Sequence, residues 1–181
     1  ARAERLLERP VQAIHEDAFD EPDAKADILD EQFENARQIL EGAPRQGRRR
    51  DLVRWWESHL THEQERSLFR GYNFLKDRAL RLMEEVNPRR YVSSKLLDAI
   101  EDYLDRARTV REELVAAHLP LADHVAWQHA DRKAAAEELV ARGRSELPDL
   151  VESFDYRGKG RFASHATLEL LKQFAQTGKD E

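Results

Sequence analysis

Cysteine is absent from this 181-residue chain, and its absence excludes several kinds of site. Without a thiol there is no disulfide framework, no cysteine-ligated zinc or iron–sulfur centre and no thiol nucleophile. Long hydrophobic runs are also missing, because no stretch approaches the ~18–20 apolar residues that cross a bilayer. Residues 1–10 are charged where a secretory signal would be apolar. We therefore expect a cytoplasmic protein without a membrane partner.

The chain also lacks the continuous Val, Ile and Leu runs that are typical of buried parallel strands. Charged residues make up 36% of the sequence, compared with about 25% in an ordinary globular domain, and the mean hydropathy is −0.80. Helices with wide solvated faces fit this composition, so we predict an all-α bundle. The formal net charge of −6 gives no overall attraction to nucleic acid, and any such contact must be local.

Enzyme motifs are missing as well. The seven histidines form no H-E-x-x-H motif, and no carboxylate stands at a spacing that completes a metal-ligand set. There is no G-x-S-x-G motif, no P-loop and no G-x-G-x-x-G motif. We expect no catalytic residue, no metal and no cofactor.

An acidic leader opens the chain. Residues 15–42 contain ten acidic residues against Lys25 and Arg37, a composition that favours a partly extended segment. Within it, residues 28–40 have the spacing of a short amphipathic helix. The sign of the charge then changes, since residues 42–50 (GAPRQGRRR) hold four arginines among helix-breaking residues.

Three parts follow from this pattern. The first is an acidic leader with a basic linker at 1–50, which we expect to be partly disordered. The second is a helical domain at 51–177, and the third is a tail at 178–181. The chain begins at Ala1 and ends directly after a helical pattern, which is expected of a piece of a longer protein.

The helical domain shows clear start and stop signals. Thr61 followed by Gln64 predicts a capping box, and Asn87-Pro88 ends that helix. A second helix begins at Ser93 or Ser94 and pairs with the first. Further helices are predicted at 121–129 after an interruption at Pro120, at 132–142 before Gly143, at 145–154, and from a cap at Ser164, with a glycine turn at 158–160.

Cations and aromatic rings alternate near the carboxyl end. From Arg157 to Lys172 there are four basic residues and one acid, Glu169; Phe162 and His165 lie among these charges, and Phe154 and Tyr156 directly precede them. This combination can neutralise phosphates and offer faces on which unpaired bases stack, each stack contributing ~1–3 kcal/mol. Alternatively the phenylalanines belong to the core and the cations flank a loop, which composition alone favours.

Four short motifs follow one another in the second half of the chain: 117–121 (AHLPL), 138–143 (ELVARG), 151–157 (VESFDYR) and 161–167 (RFASHAT). They resemble, in order, A-N-L-R-L, D/E-L-I/V-x-x-G, VEKFDYR and KFSTYAT of region two in the sigma-70 family of RNA polymerase sigma factors. Upstream, 60–76 and the leader sequence AFDEPD are similar to sigma factors of planctomycete-type bacteria. The order and spacing agree over roughly residues 17–175. The domain at 51–177 thus resembles sigma regions 1.2 and 2.

The resemblance implies a transcription initiation protein, nucleoid-associated through its polymerase. Such a module docks on the clamp helices of the β′ subunit of core RNA polymerase and captures the single-stranded, non-template strand of the minus-ten promoter element. A regulator or anti-sigma protein is a further candidate partner. The implied polymerase contacts fall on Glu138, Leu139 and Arg142. The candidate DNA-binding residues are Phe154, Tyr156, Arg157, Lys159, Arg161, Phe162, Ser164, His165 and Lys172.

Two alternatives stay open. Leu168 and Glu169 stand where the family often has a tryptophan pair, and Arg142 replaces an acid, which favours a degenerate sigma-like protein-interaction module without promoter-melting activity. The other alternative is a plain helical bundle with an acidic leader, whose motif match is coincidental.

Overall fold

The computed structural model describes residues 2–46, 48–87 and 90–177. These residues form an all-α bundle and contain no strand, as predicted. The helices are α1 (Arg2–Leu7), α2 (Ala24–Ile28), α3 (Glu31–Glu41), α4 (Arg49–His59), α5 (His62–Glu84), α6 (Ser94–His129), α7 (Lys133–Ser153) and α8 (Phe162–Thr177), with a short 3₁₀ turn at Asp17–Asp20.

The start of α5 confirms the predicted capping box. The Thr61 hydroxyl accepts from the Gln64 backbone N–H at 3.1 Å, and the Gln64 side chain accepts from the Thr61 N–H at 2.9 Å. Two otherwise unsatisfied donors at the helix N-terminus are thereby paired. Helix α5 then packs along α6, as the predicted pairing of these two helices requires.

Two predicted helix breaks do not occur. Helix α6 continues through Pro120, which is buried, and α7 continues through Gly143 and Pro148. A proline removes one hydrogen bond, but α6 and α7 pack against each other along their length, and this contact holds both helices together. Gly143 serves packing instead, because a Cβ there would lie 3.3 Å from the Phe174 ring of α8.

The acidic leader belongs to the same core as the helical domain. Phe19 and Ile28 pack with Phe74 of α5 in one cluster of buried residues. Phe33 of α3 lies directly over Gly71 of α5, where a Cβ would come within 2.3 Å of the Phe33 ring. The expectation of a partly disordered leader set apart from the domain at residue 51 therefore needs correction for its described part, because apolar contacts distant in sequence hold it in place. Residues 178–181 lie outside the described residues.

The basic linker also differs from the expectation. Helix α4 begins at Arg49, inside the predicted linker, and brings Trp56 into the core. Trp56 stacks on His118 of α6 with ring centroids 4.4 Å apart. This packing explains why the helix forms, although the preceding residues are rich in glycine, proline and arginine.

Candidate polymerase and nucleic-acid interface

The phenylalanine rings predicted to stack on bases lie in the core. Phe162 is 0% exposed and Phe154 is 6% exposed. Their centroids are 5.3 Å apart, and each ring also contacts Phe69 of α5. Helix α8 begins at Phe162 rather than after Ser164, and this turns the Phe162 ring inward. The prediction that these two rings face a strand is corrected, because neither offers a free face to a base in this conformation.

Tyr156 is covered by the leader. Its hydroxyl donates a hydrogen bond to Glu16, whose other carboxylate oxygen accepts from Arg70 Nε at 3.0 Å. Burial and the nearby Glu16 charge raise the pKa of Tyr156 well above its usual range. An acidic residue of the leader thus occupies the position at which a phosphate would have to approach this ring.

The Arg161 side chain pairs with groups of the protein itself. Its guanidinium lies 3.3 Å from Glu65 Oε1 and donates to the Leu60 carbonyl at 2.8 Å. The same Glu65 oxygen accepts from the Phe162 backbone N–H at 3.1 Å. Burial raises the pKa of Glu65, although the Arg161 charge opposes that effect. The predicted phosphate contact by Arg161 is therefore corrected to an ion pair that ties the start of α8 to the start of α5.

The other three predicted cations lie at the surface. Arg157 makes a 2.8 Å ion pair with Asp155 and lowers the pKa of that carboxyl to about 2, and Lys172 makes a 2.7 Å pair with Glu169. Lys159 is exposed in the glycine turn. Exposed ion pairs contribute only ~0–1 kcal/mol, so a phosphate could replace the carboxylate partners at little cost.

One face of α8 remains open. Ser164, His165, Leu168, Leu171 and Lys172 fall within about 120° around the helix axis, and we call them the α8 face. Leu168 is 54% exposed and Leu171 is 37% exposed. His165 is half-buried beside Phe154, and its buried Nε2 has no hydrogen-bond partner within the described part of the chain.

The predicted polymerase contacts lie together on α7. Glu138 is exposed, while Leu139 and Arg142 are half-buried. These three positions fall within about 100° around the helix. Arg144 holds α7 against α6 through two hydrogen bonds to Asp123, of 2.8 and 2.7 Å. The α7 face, defined as Glu138, Leu139 and Arg142, is thus accessible and fixed on a rigid helix.

His118 is a feature that the sequence analysis did not single out. Its ring lies between Trp56 and Phe162, and its Nδ1–H donates to the Leu114 carbonyl at 2.7 Å. Burial lowers the pKa of His118 to about 4. The available signal was its position four residues after Leu114 on the buried stripe of α6. No group of three metal-ligating side chains occurs among the residues that the structure describes.

Comparison with known proteins adds no relative. No family model, curated protein or solved structure matches the chain. In the described ranges, no helix combines the length and the apolar character that crossing a bilayer requires.

Proposed function

We propose that the protein is a sigma-70-like helical module that binds core RNA polymerase through the α7 face and holds no unpaired DNA on Phe154 or Phe162. The ordered motifs between Leu60 and Ala175 supply the resemblance. The observation that carries the proposal is the contrast between the two predicted interfaces. The residues predicted to contact polymerase lie together on an open helix face, whereas the rings predicted to stack on bases lie in the core.

A helix-to-helix contact suits the α7 face. Glu138 is exposed on it, and Glu137 is exposed beside it, so a partner helix with basic residues would meet complementary charge. Leu139 packs its inner side against the core, which keeps the helix backbone in one position. A docking surface on a rigid element loses little conformational entropy when a partner binds.

Binding of full-length protein to core polymerase tests the proposal. Biolayer interferometry with immobilised protein is expected to show saturable binding that Glu138→Arg weakens by at least about tenfold, equivalent to ~1.4 kcal/mol. The matched control is Glu57→Arg on α4, which makes the same charge change at another exposed glutamate. Absence of binding, or an equal loss in both variants, contradicts the proposal.

A second candidate function is the capture of the minus-ten strand that the resemblance implies. One observation favours it, namely that His165, with its unpartnered Nε2, shares the α8 face with Ser164 and Lys172. Fluorescence anisotropy with a labelled TATAAT-type single strand separates the two functions, and run-off transcription reports promoter opening. Strand binding that His165→Ala abolishes supports this candidate, whereas polymerase binding without strand binding supports the first.

A further inference from the structure

A cavity of about 540 Å³ lies between α5, α6 and α7, and residues 9–12 run along its rim. This volume is within the range of small-molecule sites, roughly 300–1,000 Å³. Three of its lining residues, Tyr72, Lys76 and Glu152, fall within the motifs that resemble sigma factors. Its walls combine apolar surface from Tyr72, Leu104 and Ala107 with an unusual number of cations.

Four cations from three parts of the chain line this cavity: Arg9, Lys76 of α5, and Arg108 and Arg111 of α6. Two of them are neutralised locally, since Lys76 pairs with Glu152 at 2.5 Å and Arg108 pairs with Asp105 at 3.0 Å. Among the described residues of the lining, the one further carboxylate belongs to Asp149, which is exposed. The walls therefore hold four positive and three negative groups, a surplus of one positive charge.

Arg111 is a cation of this lining without a partner in the described part of the chain, and its surroundings make it the most informative one. It makes no ion pair within residues 2–46, 48–87 and 90–177, and its buried Nε has no hydrogen-bond acceptor there. A buried donor without an acceptor loses hydration that nothing replaces, and the cost is greater for a charged group. Such a donor in a folded protein calls for an explanation, and the same guanidinium also lines the cavity, where its other N–H groups can donate to an anion.

The chemistry of the walls identifies the kind of anion. A guanidinium presents a planar fork of donors that matches the oxygens of a phosphate or a carboxylate. Arg9 and Arg108 lie in the same lining as Arg111, and three guanidinium groups favour an anion with two charges over a single carboxylate. The Val11 and Leu104 side chains in the same lining can cover an organic group attached to it.

We propose that this cavity binds a small organic phosphate monoester, with Arg111 as its principal phosphate ligand and Arg9 and Arg108 as supporting ligands. The organic part lies against Val11 and Leu104. The cavity is separate from the α7 and α8 faces, so the proposal stands whether or not the protein binds polymerase.

Calorimetric titration of the full chain tests the proposal, with adenosine 5′-monophosphate, ribose 5-phosphate, inorganic phosphate and adenosine as probes. Both monoesters are expected to bind more tightly than inorganic phosphate, and adenosine is expected not to bind. Arg111→Gln should weaken monoester binding by at least about tenfold. The matched control is Arg106→Gln on the same helix, which makes the same charge change outside this cavity.

A thermal scan without ligand provides a second, independent readout. Because Arg111 is an unpaired, half-buried cation, Arg111→Gln is expected to melt at the same temperature as the parent protein or higher, which also shows that the variant folds. A lower melting temperature contradicts the assignment. Equal losses of monoester affinity in Arg111→Gln and Arg106→Gln also contradict it. The same holds if inorganic phosphate or adenosine binds as tightly as the monoesters, or if no probe binds.

Discussion

Acid should destabilise this protein through His118, and the size of the effect follows from its surroundings. The pKa is about 4 in the folded protein and has an ordinary value of 6.5. Burial is the main cause, and the nearby Arg161 charge acts in the same direction, while the hydrogen bond to Leu114 opposes both. The neutral ring fits between Trp56 and Phe162, but a protonated ring would carry a buried Nε2–H without an acceptor.

The direction in which stability changes with pH follows from proton binding. Between pH 6.5 and 4 the unfolded chain binds a proton at His118 more readily than the folded protein does. The stabilising contribution is therefore complete above about pH 6.5 and is lost as the pH falls towards 4. With ~1.4 kcal/mol for each pH unit of difference, the loss amounts to about 3 kcal/mol, a large part of a typical unfolding free energy of ~5–15 kcal/mol.

Urea unfolding at a series of pH values between 4 and 7, followed by tryptophan fluorescence, measures this contribution. His118→Phe keeps a ring against Trp56 and cannot be charged, so its unfolding free energy should fall by about 3 kcal/mol less than that of the parent across this range. The control is His129→Phe, the same change at an exposed position. If His118→Phe shows the same pH dependence as the parent, the reasoning from burial is refuted.

Three further predictions concern contacts in the core, and each is measured as a change in the free energy of unfolding in urea. Phe162→Ala should cost ~3–5 kcal/mol, because it leaves a cavity in the core; a loss of DNA affinity at unchanged stability would instead mean that the ring serves a strand. Glu65→Ala should lower the free energy of unfolding by ~3–5 kcal/mol, because it leaves the Phe162 N–H and Arg161 without an acceptor. Glu65→Gln keeps an acceptor oxygen and should lower it by less. Equal losses in the two variants would show that the hydrogen bond contributes nothing. Gly71→Ala should lower the free energy of unfolding by ~1–3 kcal/mol, because the added Cβ clashes with Phe33. Adding Phe33→Leu should recover part of that loss. If the effects of the two changes simply add, the contact is contradicted.

Local signals in the sequence were reliable where no distant contact opposed them, and they failed where packing between distant residues decided the structure. The fold class and the cap at Thr61 were predicted correctly, because charge content, hydrophobic spacing and capping residues act within a few positions. Pro120 and Gly143 were misinterpreted as helix ends, because packing between long helices outweighs a local preference against helix.

In the candidate interfaces too, local spacing was enough to place some residues, whereas others depend on distant contacts. The three residues of the α7 face lie close together in sequence, and helical spacing is enough to place them on one side. Whether Phe162 faces a strand or the core depends on Glu65, which lies 97 positions earlier in the chain. Alternating rings and cations are compatible with both arrangements, so composition could not decide between them.

The contact between Phe33 and Gly71 has a practical consequence for cutting the gene. A fragment that starts at residue 51 would lack Phe33 and leave a bare apolar notch along α5. Such notches promote self-association, so the shorter product is expected to precipitate during purification. Sound boundaries for expression therefore keep the acidic segment, even in experiments aimed only at the carboxyl-terminal helices.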